Sequence, residues 1–249
     1  MKKARTLAAI LLIGIGITKT ISPIQVLAEQ NIRKPSGQSA GNQLNRSLTG
    51  EQRQVMLQML DKIMAVLRDD QPFIFDKVGF GKVGRIDSWE DDSGKTYSYN
   101  ADSLPDANIL FSTKSDPENY DDDRRTVTAV PESFYFEFFS SHSGLDRQTL
   151  EKHLALETYW IDAVGEKHNG NRLMPLPPAL WQRVYRYRAK EQATSHFPVD
   201  VELFYFEPKD GDGNREPRLD AIRITRSYPY LTPEMRKKRR EEEQQKKHD

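Results

Sequence analysis

The chain of 249 residues contains no cysteine. That absence excludes a disulfide scaffold, a thiol nucleophile and thiolate zinc ligation. It also lacks net charge, with 37 basic against 37 acidic side chains. A dedicated nucleic-acid binder normally carries a strong basic excess, so this balance argues against one. Long apolar runs are missing except for one near the start, and the mean hydropathy is -0.75. A multi-span membrane protein is therefore not expected. Catalytic signatures are absent too: there is no H-E-x-x-H, no G-x-S-x-G and no S-x-x-K.

The single apolar run fixes the expected compartment. Lys2, Lys3 and Arg5 precede 11 apolar residues, Leu7 to Ile17, and Val26-Leu27-Ala28 follows. A basic start, a short apolar stretch and small residues at the cleavage positions are the pattern of a secretory signal peptide over residues 1–28. A bilayer span needs about 20 residues, so this run does not predict a membrane anchor. No cysteine follows it, so lipid attachment through one is impossible. A periplasmic, exported product is expected. Residues 1–28 hold four basic and no acidic groups, which leaves 33 basic against 37 acidic in the remainder.

Residues 29–47 are polar and read as a flexible leader. A helix is expected over Ser47 to Arg68. Thr49 and Gln52 form a capping box, and Met56, Met59, Leu60, Ile63 and Leu67 recur on one face. Phe73, Phe75 and Val78 suggest a strand start that Gly79, Gly81 and Gly84 interrupt. Alternation or apolar runs predict strands at Thr96–Asn100, Ile109–Ser112, Thr126–Val130 and Ser133–Phe139. A second helix is expected over Leu145–Leu156, then a strand at Tyr159–Val164, with prolines forbidding regular structure at 173–179. Strands close the chain at Gln182–Lys190, Val199–Glu207 and Leu219–Tyr228, the last two joined by a hairpin at Gly211 and Gly213. Residues 231–249 are a charged tail in which lysine or arginine to glutamate pairs support a solvated helix.

This order predicts an α+β fold with helices packed on antiparallel sheet, one half over 48–139 and a second over 140–230. It has the look of a tandem helix-plus-meander duplication. The stretch L-D-R-Q-T-L-E-K-H-L-A-L followed by V-Y-R-Y-R, V-E-L-F-Y-F and L-D-A-I-R-I-T resembles the helix-then-meander unit of small exported bacterial proteins of the BamE and β-lactamase-inhibitor-like fold. The resemblance implies binding or inhibition of another protein without catalysis.

The residues themselves offer several constellations. The histidines, including His142 and His153, match no metal-ligand spacing and read as polar surface groups. Ser140, Ser141, His142 and Ser143 sit before a helix, where loop and capping duty explains them. Asp210-Gly211-Asp212-Gly213-Asn214 departs from a calcium loop, since Arg215 and Ala221 occupy the positions that need glycine and glutamate. No metal or other cofactor is expected. Arg183, Tyr185, Arg186, Tyr187 and Arg188 read as cross-strand packing with arginine stems laid over a sheet. Charge is the most informative signal: residues 69–123 hold 14 acidic and 5 basic groups. Such a field steers a basic partner. The candidate partner-binding residues are Glu90, Asp91, Asp92, Asp116, Glu118, Asp121, Asp122 and Asp123.

The resulting expectation is an exported, non-catalytic protein-binding module, such as an inhibitor or immunity protein acting on a basic protein partner. Two alternatives stand beside it: a periplasmic hydrolase using carboxylates with His142, and an envelope accessory protein whose tail binds anionic surfaces.

Overall fold

The computed structural model describes residues 47–89, 94–116, 128–173, 182–207 and 216–228, with a few positions between 237 and 245. The chain divides into two compact units, Met1–Leu44 and Asn45–Asp249, and the described residues lie in the second. In order they form α1 (Gly50–Leu67), β1 (Lys82–Ser88), β2 (Gly94–Asn100), β3 (Ala107–Ser115), β4 (Ala129–His142), α2 (Arg147–His153), β5 (Tyr159–Ile161), β6 (Lys167–Asn169), β7 (Gln182–Arg188), β8 (Val199–Phe206) and β9 (Arg218–Arg226). Seven strands make one antiparallel sheet in the order β1-β2-β3-β4-β9-β8-β7, and β5 with β6 forms a separate hairpin. The last strands of the two halves, β4 and β9, are paired with each other, so both halves enter one sheet and one hydrophobic cluster.

Helix α1 begins where its sequence dictates. The Thr49 hydroxyl accepts from the Gln52 backbone N–H, and the Thr49 N–H donates to the Gln52 side chain. Its apolar face buries Met56, Met59, Leu60, Ile63, Met64, Val66 and Leu67. Each such side chain contributes about 1.5–3 kcal/mol on leaving water. The helix lies over β4 and β9. There the even-numbered residues Phe134, Phe136 and Phe138 meet Ile222 and Ile224 in the core. Strands β7 and β8 extend that core with Tyr185, Tyr187, Val201, Leu203 and Tyr205. Arg186 and Arg188 point to the opposite face, so Tyr185 and Tyr187 give β7 its core parity.

Four elements differ from expectation. Within the described residues the strands expected at Thr126–Val130 and Ser133–Phe139 run as one, β4. Phe73 to Val78 is not a strand: the Lys77 and Val78 N–H groups both donate to the Ile74 carbonyl in a turn. Phe73 instead stacks on Phe111 at 4.0 Å, and Phe80 fills the core beside it. The strand comes later, at β1, because Gly79 and Gly81 adopt φ of 77° and 121° and turn the chain first. A Cβ at Gly81 would meet the Asn100 carbonyl oxygen at 2.3 Å. Helix α2 is shorter than Leu145–Leu156, since Ala155 takes the left-handed φ of 51° just after the Leu154 cap. Tyr159–Val164 shortens to Tyr159–Ile161 and turns back through Gly165 into β6. Residues 173–179 and the Gly211–Gly213 hairpin fall almost wholly outside the described residues. In the tail, Lys238 and Glu242 form an i, i+4 pair at 3.9 Å.

The two sheet edges are treated differently. Along β7 the outer edge is covered: Glu157 N–H donates to Arg188 O, Leu173 N–H to Val184 O, and Arg186 N–H to Asn171 O. Along β1 no described strand pairs on the outer side.

The far end of α1 is fixed by Arg226. Its guanidinium is about 1 % exposed and donates to the Leu67 carbonyl at 2.9 Å, the Val66 carbonyl at 2.7 Å and Asp70 at 3.0 Å. It also lies 3.9 Å from the centre of the Phe197 ring. Replacing Arg226 by methionine keeps the stem and leaves those carbonyls unpaired. The expected loss is about 3 kcal/mol in equilibrium urea unfolding. Thr49→Ala, at the other end of the same helix, is expected to cost about 1 kcal/mol.

Candidate functional site

The sheet has a second face, opposite α1, and it carries most of the polar chemistry. Tyr135 of β4, Arg223 of β9, Glu202 of β8 and Arg186 of β7 share it through cross-strand pairing. Glu202 is the junction. It takes Arg186 on one oxygen and Arg223 at 3.1 Å on the other. Arg223 lies 5.5 Å from the Tyr135 ring centre, and Arg186 lies 4.9 Å from the Trp160 ring centre. Trp160 then stacks on His168 at 4.2 Å. His168 is 2.8 Å from Asp162. Planar cations and rings thus form a continuous row from the central strand to the β5–β6 hairpin. Such cation–π and charge-assisted contacts reinforce one another where water is scarce.

Beside this row the ladder breaks. Between β4 and β9 the register runs from Glu137 opposite Ala221 to His142 opposite Leu219, so four residues of β4 separate from a shorter stretch of β9. The same place in β9 is bulged against β8, between Phe204 and Tyr205. Bulges re-aim side chains. Here Asp220 is the extra residue, and the Gln182 amide donates to it at 2.7 Å. Burial pushes its carboxyl up to about 6; the neighbouring Glu137 charge adds to the rise, while Gln182 and Arg218 oppose it. Burial raises Glu137 as well, against hydrogen bonds from Tyr135 and Asn108. Both carboxyls were missed from sequence. Their only local signal is an acid in the polar parity of a strongly apolar strand.

Of the acidic partner-binding candidates, Asp116 lies in the described residues, and its N–H donates to the Thr128 carbonyl at 3.0 Å. Glu90, Asp91, Asp92, Glu118, Asp121, Asp122 and Asp123 lie outside them. The strands that flank both segments are nevertheless described, and they adjoin. Ser88 is opposite Lys95, Gly94 opposite Lys114, and Ser115 opposite Ala129. The same end of the sheet receives the close of β9 and, through Arg226, Asp70 at the end of α1. Asp69 joins it there, held below the usual carboxylate range chiefly by its hydrogen bonds from Arg68.

His142 is buried on the core side, where its ring lies 4.3 Å from Phe138. His153 is 2.8 Å from Asp61 and within hydrogen-bonding distance of the Leu57 carbonyl. The acidic pair Glu137 and Asp220 belongs to the other face, so the structure does not join it to His142. Asp162, Glu166 and His168 bring ligand-type atoms within 4.8 Å of one another. The Asp162 oxygens already accept the Val164 and Glu166 N–H groups and the His168 ring, which ties the hairpin shut. A shallow cavity of about 310 Å³ is lined by Arg68, Arg188, Lys190 and His196. Two of its cations are already paired, Arg68 with Asp69 and Arg188 with Asp200.

The raised carboxyl at Asp220 has a thermodynamic consequence. Its folded value lies above the unfolded one, so the folded state holds that proton more tightly between about pH 4 and 6. Stability from this group is greatest below pH 4 and is lost as the pH rises through 6. Asp220→Asn is therefore expected to raise stability by about 2 kcal/mol at pH 7 and by nothing at pH 3.5, read from urea unfolding across that range. Comparison of the chain with protein-family models, with curated proteins and with solved structures finds no match.

Proposed function

We propose that the chain is an exported, non-catalytic protein-binding module of the inhibitor or immunity type, which neutralises a basic protein partner in the periplasm. The observation that carries this reading is topological. Antiparallel pairing of β1 to β4 brings the flanks of 90–93 and of 117–127 to one end of the sheet. The described ends that flank two acidic segments separated in sequence thereby lie side by side, with Asp116 at the same end. Concentrated charge of one sign speeds encounter with an oppositely charged partner and makes it sensitive to salt. Glu90, Asp91, Asp92, Asp116, Glu118, Asp121, Asp122 and Asp123 carry the contact in this reading.

The order of elements supports a tandem helix-plus-meander arrangement, with α1 leading one half, α2 the other, and β4 beside β9 at the seam. That arrangement is in keeping with the resemblance to BamE and β-lactamase-inhibitor-like proteins, while export after removal of residues 1–28 rests on the sequence pattern. No helix among the described residues is long and apolar enough to cross a membrane.

A second reading, the hydrolase, draws on one observation. Burial raises the Asp220 carboxyl to about 6 next to Glu137, which is raised as well, and a carboxyl shifted this way can serve acid–base chemistry. It would work without His142. Turnover of ester, peptide or glycan substrates that is abolished by both Glu137→Gln and Asp220→Asn would favour it over binding.

The primary reading is tested by capture from the native envelope with the mature protein, at low and moderate salt, followed by association kinetics with the captured partner. A single stoichiometric basic protein, lost as salt rises, is expected. Replacing Asp121, Asp122 and Asp123 together by lysine is expected to slow association about 10-fold or more at low salt and to flatten its salt dependence. Absence of any partner at both salts, or unchanged kinetics in the triple variant, overturns it.

A further inference from the structure

The open edge of the sheet is complementary to itself. Trp89 N–H donates to the Gly94 carbonyl, and Trp89 follows directly on the pairs Asp87 with Thr96 and Ser88 with Lys95. In an antiparallel pair the hydrogen-bonded positions alternate. Asp87 and Arg85 therefore turn their backbone groups toward β2, whereas Ile86 and Ser88 turn theirs outward. Among the described residues no strand receives them. The other edge of the same sheet, along β7, is covered by the segments around Glu157 and Asn171.

Side chains along this edge have a palindromic character. Ile86 is 45 % exposed and is flanked by Arg85 and Asp87, which are bonded to each other at 2.7 Å within the strand and are 70 % and 47 % exposed. Suppose a second β1 is laid antiparallel with the two-fold axis at Ile86. The outward-facing Ile86 then meets Ile86 of the other copy in a hydrogen-bonded position. Arg85 falls opposite Asp87 and Asp87 opposite Arg85, in the non-hydrogen-bonded positions where side chains approach most closely. Any other register by one residue sets Arg85 or Asp87 against an uncharged neighbour or flips the faces.

Apolar surface continues the match. Tyr97 is the cross-strand neighbour of Ile86, and Phe75 stacks on Tyr97 at 5.5 Å with 41 % of its surface exposed. Ile74 adds 48 % exposure in the same turn. Opposite residues of an antiparallel pair lie on the same face, so the two copies would join these patches across the axis. A bulge at Gly84 limits the flat part of β1 to a few residues, which makes the contact small.

We propose that the protein forms a two-fold dimer through β1, a second copy of the chain pairing antiparallel about Ile86 with reciprocal Arg85–Asp87 contacts. The isologous geometry closes on itself, so the edge is satisfied without growth into a filament. A contact of this size fits a transient dimer, with Kd on the order of 10 µM.

The test is sedimentation equilibrium of the purified chain up to about 200 µM, at low salt, with charge-exchange variants. The native chain is expected to dimerise. Arg85→Asp and Asp87→Arg alone are each expected to weaken dimerisation about 10-fold, because like charges then face each other. The Arg85→Asp/Asp87→Arg double variant is expected to recover it, and an equimolar mixture of the two single variants is expected to form the heterodimer. Ile86→Lys is expected to leave a monomer with an unchanged thermal midpoint, as the side chain is half-exposed. A native chain that stays monomeric throughout overturns the proposal. So does a dimer that none of these substitutions weakens, or single variants that weaken it without rescue in the double variant or the mixture.

Discussion

A single buried cation, Arg226, holds helix and sheet together. The last carbonyls of a helix have no partner within it, and they concentrate the negative end of its dipole. In α1 those of Val66 and Leu67 are closed off from water by the sheet beneath. Arg226, from the last position of β9, supplies donors to both and reaches Asp70, whose left-handed φ of 55° that bond helps to maintain. The guanidinium is thus matched by a carboxylate and two carbonyls, which is what makes its near-complete burial tolerable. Because β9 also pairs with β4 and β8, the same contact sets α1 over the seam between the two halves.

From that seam the sheet presents two chemically unlike faces. One is sealed by aromatic and aliphatic side chains under α1, with α2 and the turn before it tied to it by polar contacts: Tyr187 donates to Glu151 at 2.6 Å and Tyr205 to the Leu145 carbonyl at 3.0 Å. Burial drives the Tyr205 hydroxyl far above its ordinary value, so it remains a donor at any working pH. The other face is an arginine–carboxylate–aromatic row beside a bulge with two poorly hydrated carboxyls. Asp220 there works against stability at neutral pH.

Local sequence made much of this readable. The capping box at Thr49 and the helical stripe from Met56 to Leu67 recur in the structure because both depend on neighbours within a few residues. Strands β2 and β7 were legible from alternation, and β8 from its β-branched and aromatic content, for the same reason. The aromatic run at Phe73–Phe80 was not, since stacking of Phe73 on Phe111, far away in sequence, decides its path. Helix α2 ended early because Ala155 turns to let Leu156 bridge Ala189 of the neighbouring segment. The acidic bias of residues 69–123 was visible in composition, but nothing in composition says that the two acidic segments leave the sheet at the same end.

The sequence alone determined the α+β character, the first helix with its cap, and the uneven distribution of charge. These follow from periodicity, capping chemistry and counting, all of which act over short distances along the chain. Tertiary structure decided which edge has no described strand beside it, which carboxyls lose their water and which arginines meet which carboxylates. Each of these depends on strand order: β9 lies between β4 and β8, and β1 lies at the rim. Strand order is set by contacts between residues far apart in sequence, whose combined burial no local pattern records.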